Sequence, residues 1–116
     1  MNLATAEKNV KDSNCYAICA KLVDHYLDEE GKTCFAYDSG NGHVSILPMH
    51  TTVRVEVTFY GNKGEYGEWD LVFYRSNQDL VDTYELPVET FHGFTVDEVV
   101  KSLIVLIDDE IDYMLN

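Results

Sequence analysis

Between about Asp12 and Glu29 the apolar residues Cys15, Ile18, Cys19, Leu22 and Tyr26, with Val23 and Leu27 beside them, recur at i, i+3, i+4 and i+7. This spacing predicts an amphipathic helix, with Asp12 or Ser13 placed to cap its start and Gly31 to take the left-handed position after its end. Beyond Gly31 the period falls from 3.6 to 2. Phe35 and Tyr37 alternate against Ala36 and Asp38, and Val44 and Ile46 against Ser45, on either side of the turn Ser39-Gly40-Asn41-Gly42. Alternation broken by a glycine-rich turn predicts a hairpin. In Thr51 to Tyr60, Val53, Val55, Val57 and Phe59 take one face of a strand and Arg54, Glu56 and Thr58 the other, so one side is core and the other wetter. The segment Gly61-Asn62-Lys63-Gly64-Glu65-Tyr66-Gly67 is a glycine-punctuated loop. Trp69 to Arg75 then resumes the alternation, with Trp69, Leu71 and Phe73 set against Asp70, Val72 and Tyr74.

A shorter strand is expected over Asp79 to Leu86, ending before Pro87, with Leu80, Tyr84 and Leu86 on one parity. Phe94 to Val99 then carries a full set of helix-start signals. Thr95 is the cap, Glu98 completes a capping box, and Phe94 can staple onto Val99. The stripe that follows runs through Val96, Val99, Val100, Leu103, Ile107, Ile111 and Met114, widened by Ile104, Leu106 and Leu115. Such a face packs broadly, either on the rest of the chain or against a second copy in a homodimer. The order helix, four or five antiparallel strands, helix predicts an α+β fold with the C-terminal helix packed on the sheet, in one acidic domain spanning residues 1–116.

Composition adds the charge. The 116 residues hold 21 Asp and Glu against 8 Lys and Arg, a formal net charge of −13. With 46% hydrophobic residues the chain can build a core, which argues against disorder. Binding phosphates directly requires clustered cations, and the basic residues here are scattered singly from Lys8 to Lys101, so nucleic acid is not an expected ligand. The longest apolar run, Leu103 to Ile107, falls far short of the roughly 18 residues a membrane helix needs. The first residues lack the basic and apolar regions of a secretory signal. A cytoplasmic protein, of a bacterium or a phage-infected host cell, with no membrane partner, is expected.

Motifs for chemistry are sparse. Cys15 and Cys19 share a helix face, and Cys34 is a third thiol. They lie in apolar patterns without the second ligand pair of a zinc site, so core packing is the expected role. His25, His43, His50 and His92 lack metal-ligand spacing. Asp38-Ser39-Gly40 is turn chemistry rather than a nucleophile elbow, and the loop of residues 61–67 is not a phosphate-binding loop. No enzyme, cofactor or metal is predicted.

The positions of the acids point elsewhere. Asp28, Glu29 and Glu30 close the first helix, and Asp108, Asp109, Glu110 and Asp112 occupy the last turns of the second. Carboxylates oppose the helix dipole there at about 0.3 to 1 kcal/mol each, and local rules are often broken at functional sites. These clusters, joined by Glu65, Glu68 and Asp70, with Asp79, Asp82 and Glu85 as further members, are expected to face a basic partner. Tyr66, Tyr60 and Tyr74 are candidate aromatic anchors. In composition the chain resembles small acidic inhibitors such as phage anti-CRISPR and anti-restriction proteins, and immunity proteins of nuclease toxins. The resemblance implies a protein that mimics DNA and occupies the basic groove of a nucleic-acid-processing enzyme. The alternatives are immunity to a basic nuclease toxin, or an adaptor or chaperone-like interaction domain.

Overall fold

A computed structural model describes residues 14–28, 34–40, 42–61, 67–76 and 79–116; the side chains of Asn14, Asp28 and residues 38–40 fall outside that description. Helix α1 (Asn14–Asp28) is followed by strands β1 (Cys34–Gly40), β2 (His43–Pro48), β3 (Val53–Tyr60), β4 (Glu68–Arg75) and β5 (Asp79–Pro87). A short 3-10 turn (Val88–Phe91) then leads to helix α2 (Val96–Leu115). The strands form one antiparallel meander in the order β1-β2-β3-β4-β5. Helix α1 packs over β1 and β2, and α2 packs over β3 and against α1. The fold is the expected α+β arrangement, with the second helix on the sheet.

The period-2 pattern explains the sheet. Val53, Val55, Val57 and Phe59 of β3 pair across to Arg75, Phe73, Leu71 and Trp69 of β4. All but Arg75 are buried, facing Ile18, Leu22 and Tyr26 of α1 and Leu103, Ile107 and Ile111 of α2. Burying each such aliphatic or aromatic side chain contributes about 1.5–3 kcal/mol. Of the α2 stripe predicted from sequence, Val99, Val100, Leu103, Ile107, Ile111 and Met114 are buried within the chain, whereas Leu115 is half exposed. The capping box forms as expected. Thr95 Oγ1 accepts from the Glu98 N–H at 3.2 Å, and Glu98 Oε1 accepts from the Thr95 N–H at 3.1 Å. Phe94 is nearly half exposed, with its ring 5.8 Å from that of Phe91. The caps expected at Asp12, Ser13 and Gly31 lie outside the described residues.

The faces of two strands are set by their neighbours. In β1 the small residue faces the core: Ala36 is buried while Phe35 and Tyr37 lie exposed and stacked, their centroids 6.1 Å apart. Helix α1 lies over this strand, and a methyl group there lets the helix approach where an aromatic ring would hold it off. In β5 an irregularity opposite Phe73 and Tyr74 shifts the register, so Leu80 pairs with Tyr74 and Asp82 with Phe73. One extra residue in a strand reverses the side-chain parity. Leu80 therefore points to the open face of the sheet, 61% exposed, whereas Tyr84 and Leu86 pack against the core. The strand also runs through Pro87, one residue past its expected end.

Candidate functional site: the acidic edge and the open sheet face

The sheet face away from the helices carries alternate residues of every strand. On β4 these are Glu68, Asp70, Val72 and Tyr74, and on β5 Thr83, Glu85 and Pro87 lie beside the first three in reverse order. Asp70 is directly opposite Glu85, and carboxylate oxygens of Glu68, Asp70 and Glu85 lie within 4.8 Å of one another. Asp70 is only 8% exposed. Like charges facing each other across strands repel. Oxygen donors so closely set are the type taken by hard cations and by Lys or Arg head groups.

This cluster sits at a sheet edge. Among the described residues no strand pairs with the outer side of β5, and residues 79–83, with Glu85, are exposed. The charge is uneven in the same direction: residues 76–116 hold ten of the acids and only one base, Lys101. Asp79, Asp82 and Glu85 on β5 and Glu89 in the 3-10 turn are all exposed. Asp82 Oδ1 accepts from the Thr83 N–H at 2.9 Å, which orients its carboxylate beside the strand.

The expected sites at the helix ends are placed differently. Helix α2 runs on to Leu115, so Asp108, Asp109 and Glu110 stand more than a turn before its end, where the dipole penalty has faded. Asp108 Oδ1 accepts from the hydroxyl of buried Tyr26 at 2.9 Å, and Glu110 Oε2 accepts from the Tyr84 hydroxyl at 3.0 Å. The Glu110 hydrogen bond, with burial and the negative charges of Glu110 and Asp82 behind it, holds the Tyr84 phenol proton and pushes its pKa up to about 12. Both carboxylates therefore serve the fold. The cation that a helix C-terminus favours comes from the sheet, where Arg75 Nη2 donates to the Met114 carbonyl at 2.9 Å. Asp109 and Asp112 are exposed. Because α2 covers the opposite face of the sheet from Glu68, Asp70 and Glu85, the α2 acids do not share a surface with that trio, whereas Asp82 lies on the helix side and acts with Glu110 on the Tyr84 hydroxyl. The side chain of Asp28 and all of Glu29, Glu30, Glu65 and Tyr66 lie outside the described residues.

Sequence reasoning missed a polar network in the middle of the open face. Register places His43 opposite Thr58 and Ser45 opposite Glu56. His43 Nε2 lies 2.7 Å from Glu56 Oε2 and 3.2 Å from Ser45 Oγ, Ser45 Oγ donates to the same carboxylate oxygen, and His43 Nδ1 lies 2.8 Å from Thr58 Oγ1. His43 thus bridges the Glu56 carboxylate on Nε2 and the Thr58 hydroxyl on Nδ1, with Ser45 on the Glu56 side, so the four side chains form one cross-strand network. The signal available was the i, i+2 spacing of His43 with Ser45 and of Glu56 with Thr58, once the β2–β3 register is set. Beside it the Arg54 guanidinium lies 4.3 Å from the centre of the Tyr74 ring, which occupies one expected anchor. Tyr60, 39% exposed, stands opposite Glu68 next to the acidic trio.

Cys15 and Cys19 are buried and Cys34 half-buried, all three as thiols on or beside the core. Among the described residues the acidic trio is the one group of three potential metal ligands, and no Cys or His belongs to it. No described helix is long and apolar enough to cross a membrane. Compared with known proteins, the chain matches no protein-family model, no curated protein and no solved structure.

Proposed function

We propose that this chain is a non-enzymatic inhibitor that binds the basic nucleic-acid-binding surface of a partner enzyme, in the manner of anti-CRISPR and anti-restriction proteins that mimic DNA. The carrying observation is the acidic edge. Glu68, Asp70 and Glu85 converge within 4.8 Å on the open face, and Asp79 and Asp82 continue the negative charge along β5. Carboxylates fixed on a sheet keep their spacing when a partner arrives, steer a positive cleft toward them and fill it without being substrates. The surface acids of α2, Asp109 and Asp112, add to the long-range field but lie on the other side of the sheet. Immunity to a basic nuclease toxin is the near alternative, since it uses the same charge complementarity.

Affinity capture on the immobilised chain, washed at about 50 mM and about 500 mM salt, tests the reading because charge-driven contacts are screened over this range. Captured proteins are expected to bind nucleic acid, to elute at the higher salt and to be displaced by added double-stranded DNA. Capture that survives high salt and ignores DNA overturns it.

A further inference from the structure

We propose that the outer edge of β5 is a docking site for an extended, Lys- or Arg-bearing segment of a partner protein, which adds to the sheet as a sixth, antiparallel strand. The inference rests on the inhibitor reading and goes further, because it names the element of the partner that is held and the backbone geometry that holds it.

Edge strands in natural proteins are usually blunted by lysines, by an internal proline, by brevity or by a covering element, since an open row of N–H and C=O groups invites another strand. Among the described residues no strand covers the outer edge of β5, and its protection is limited to an irregularity near its start and the helix-side Asp82. The strand has nine residues, no Lys or Arg, a proline only at its last position, and exposed Leu80 and Val81 near its start. Its one irregularity lies near that start, between the Leu80 and Asp82 pairings. From Asp82 to Pro87 the ladder to β4 is regular, which leaves a straight stretch long enough for a guest strand of typical length.

The charge selects the occupant. A second copy of this chain paired antiparallel on the same edge about Asp82 would set Asp79 against Glu85 and Asp82 against its counterpart, and like charges across strands repel. A nucleic acid is repelled by the same field. A basic strand is attracted, and main-chain pairing of this kind is an established mode of peptide recognition. The side-chain pattern then follows from the register. Glu85 points to the open face, where Asp70 and Glu68 stand beside it, whereas Asp82 points to the helix side. Two acids three residues apart on opposite faces call for two basic residues three apart in the guest, because its side chains alternate as well. The first lies over the open face beside Glu85, in the negative field of the carboxylate trio. The second meets Asp82, and an apolar residue beyond it covers Leu80 and Val81.

The probe is a labelled synthetic peptide of alternating Thr and Val in which two Lys stand three residues apart, added to the full chain. We expect saturable binding by fluorescence anisotropy and slowed amide exchange in the backbone of residues 82–86. A peptide with the two Lys adjacent, and one with N-methylated main-chain amides, are each expected to bind at least about tenfold more weakly. The double variant Asp82→Lys/Glu85→Lys, checked for native circular dichroism, should lose the Lys peptide and gain a peptide with Glu at the same two positions. Equal binding of the N-methylated or the adjacent-Lys peptide overturns strand addition, as do unprotected β5 amides in the complex. A double variant that keeps the Lys peptide overturns the charge match. Failure here with DNA-displaceable capture intact leaves the inhibitor reading standing, and strand addition with capture that ignores DNA removes that reading alone.

Discussion

Tyr84 stands where the core meets the acidic edge, and its hydroxyl is tied to Glu110 of α2. Because the folded state keeps the phenol protonated to about pH 12 while an unfolded tyrosine titrates near pH 10, the unfolded chain releases this proton first. The contribution is therefore complete below about pH 10 and is lost as pH climbs through about 12. Alkaline unfolding followed by circular dichroism should show stability falling across that window, and the Glu110→Gln variant should return the Tyr84 ultraviolet titration toward its ordinary value. A Tyr84 phenol that titrates normally in the folded protein would remove the basis for this expectation. The roles of Asp108 and Glu110 were not legible in the sequence. Their partners, Tyr26 and Tyr84, are 82 and 26 residues away, and a carboxylate spent on a distant hydroxyl looks in sequence like one left for solvent.

Among the elements, those governed by local rules were readable. The capping box at Thr95 and Glu98 needs only contiguous residues, and β3 announces itself through four alternating apolar positions. The parity of β5 failed because its irregularity against β4 is set from outside the element, and the face of β1, which its own pattern leaves open, is chosen by the helix lying over it. The candidate site fared likewise. Glu68, Asp70 and Glu85 are named from sequence, but their convergence depends on the β4–β5 register, which sets Asp70 opposite Glu85. The loop entering β4 gives an element-scale prediction. Gly67 has φ +92, and a Cβ there would lie 2.9 Å from the Tyr60 carbonyl oxygen, whereas Gly93 has φ +82 with open space around it. Gly93→Ala should cost about 1 kcal/mol for the left-handed backbone alone. Gly67→Ala carries the same cost plus the backbone clash, and should destabilise by about 2 kcal/mol or more in urea unfolding. Equal costs for the two would contradict the close approach.

For the molecule as a whole, a net charge of −13 on 116 residues is a source of self-repulsion. Screening relieves repulsion inside the folded chain and also weakens attraction to a basic partner. Salt should therefore move two measurements in opposite directions: the melting temperature of the isolated chain rises between about 10 and about 300 mM salt while affinity for a basic partner falls. A melting temperature that falls with salt would mean that attractive pairs dominate the surface. The exposed pair between Lys21 and Asp97, at 3.0 Å, is too solvated to reverse the expected trend.

Trp69 is the only tryptophan in the chain; it is 2% exposed, pairs with Phe59 on β3 and Leu86 on β5, and its ring centre is 5.2 Å from that of Phe59. It immediately precedes Asp70 in β4, with its side chain on the other face of the sheet. The protein thus carries a built-in optical reporter behind the acidic edge. Its emission comes from a dry, aromatic-lined site in the folded state and from water once β4 is exposed, so the strand that presents the carboxylates can be watched without a label.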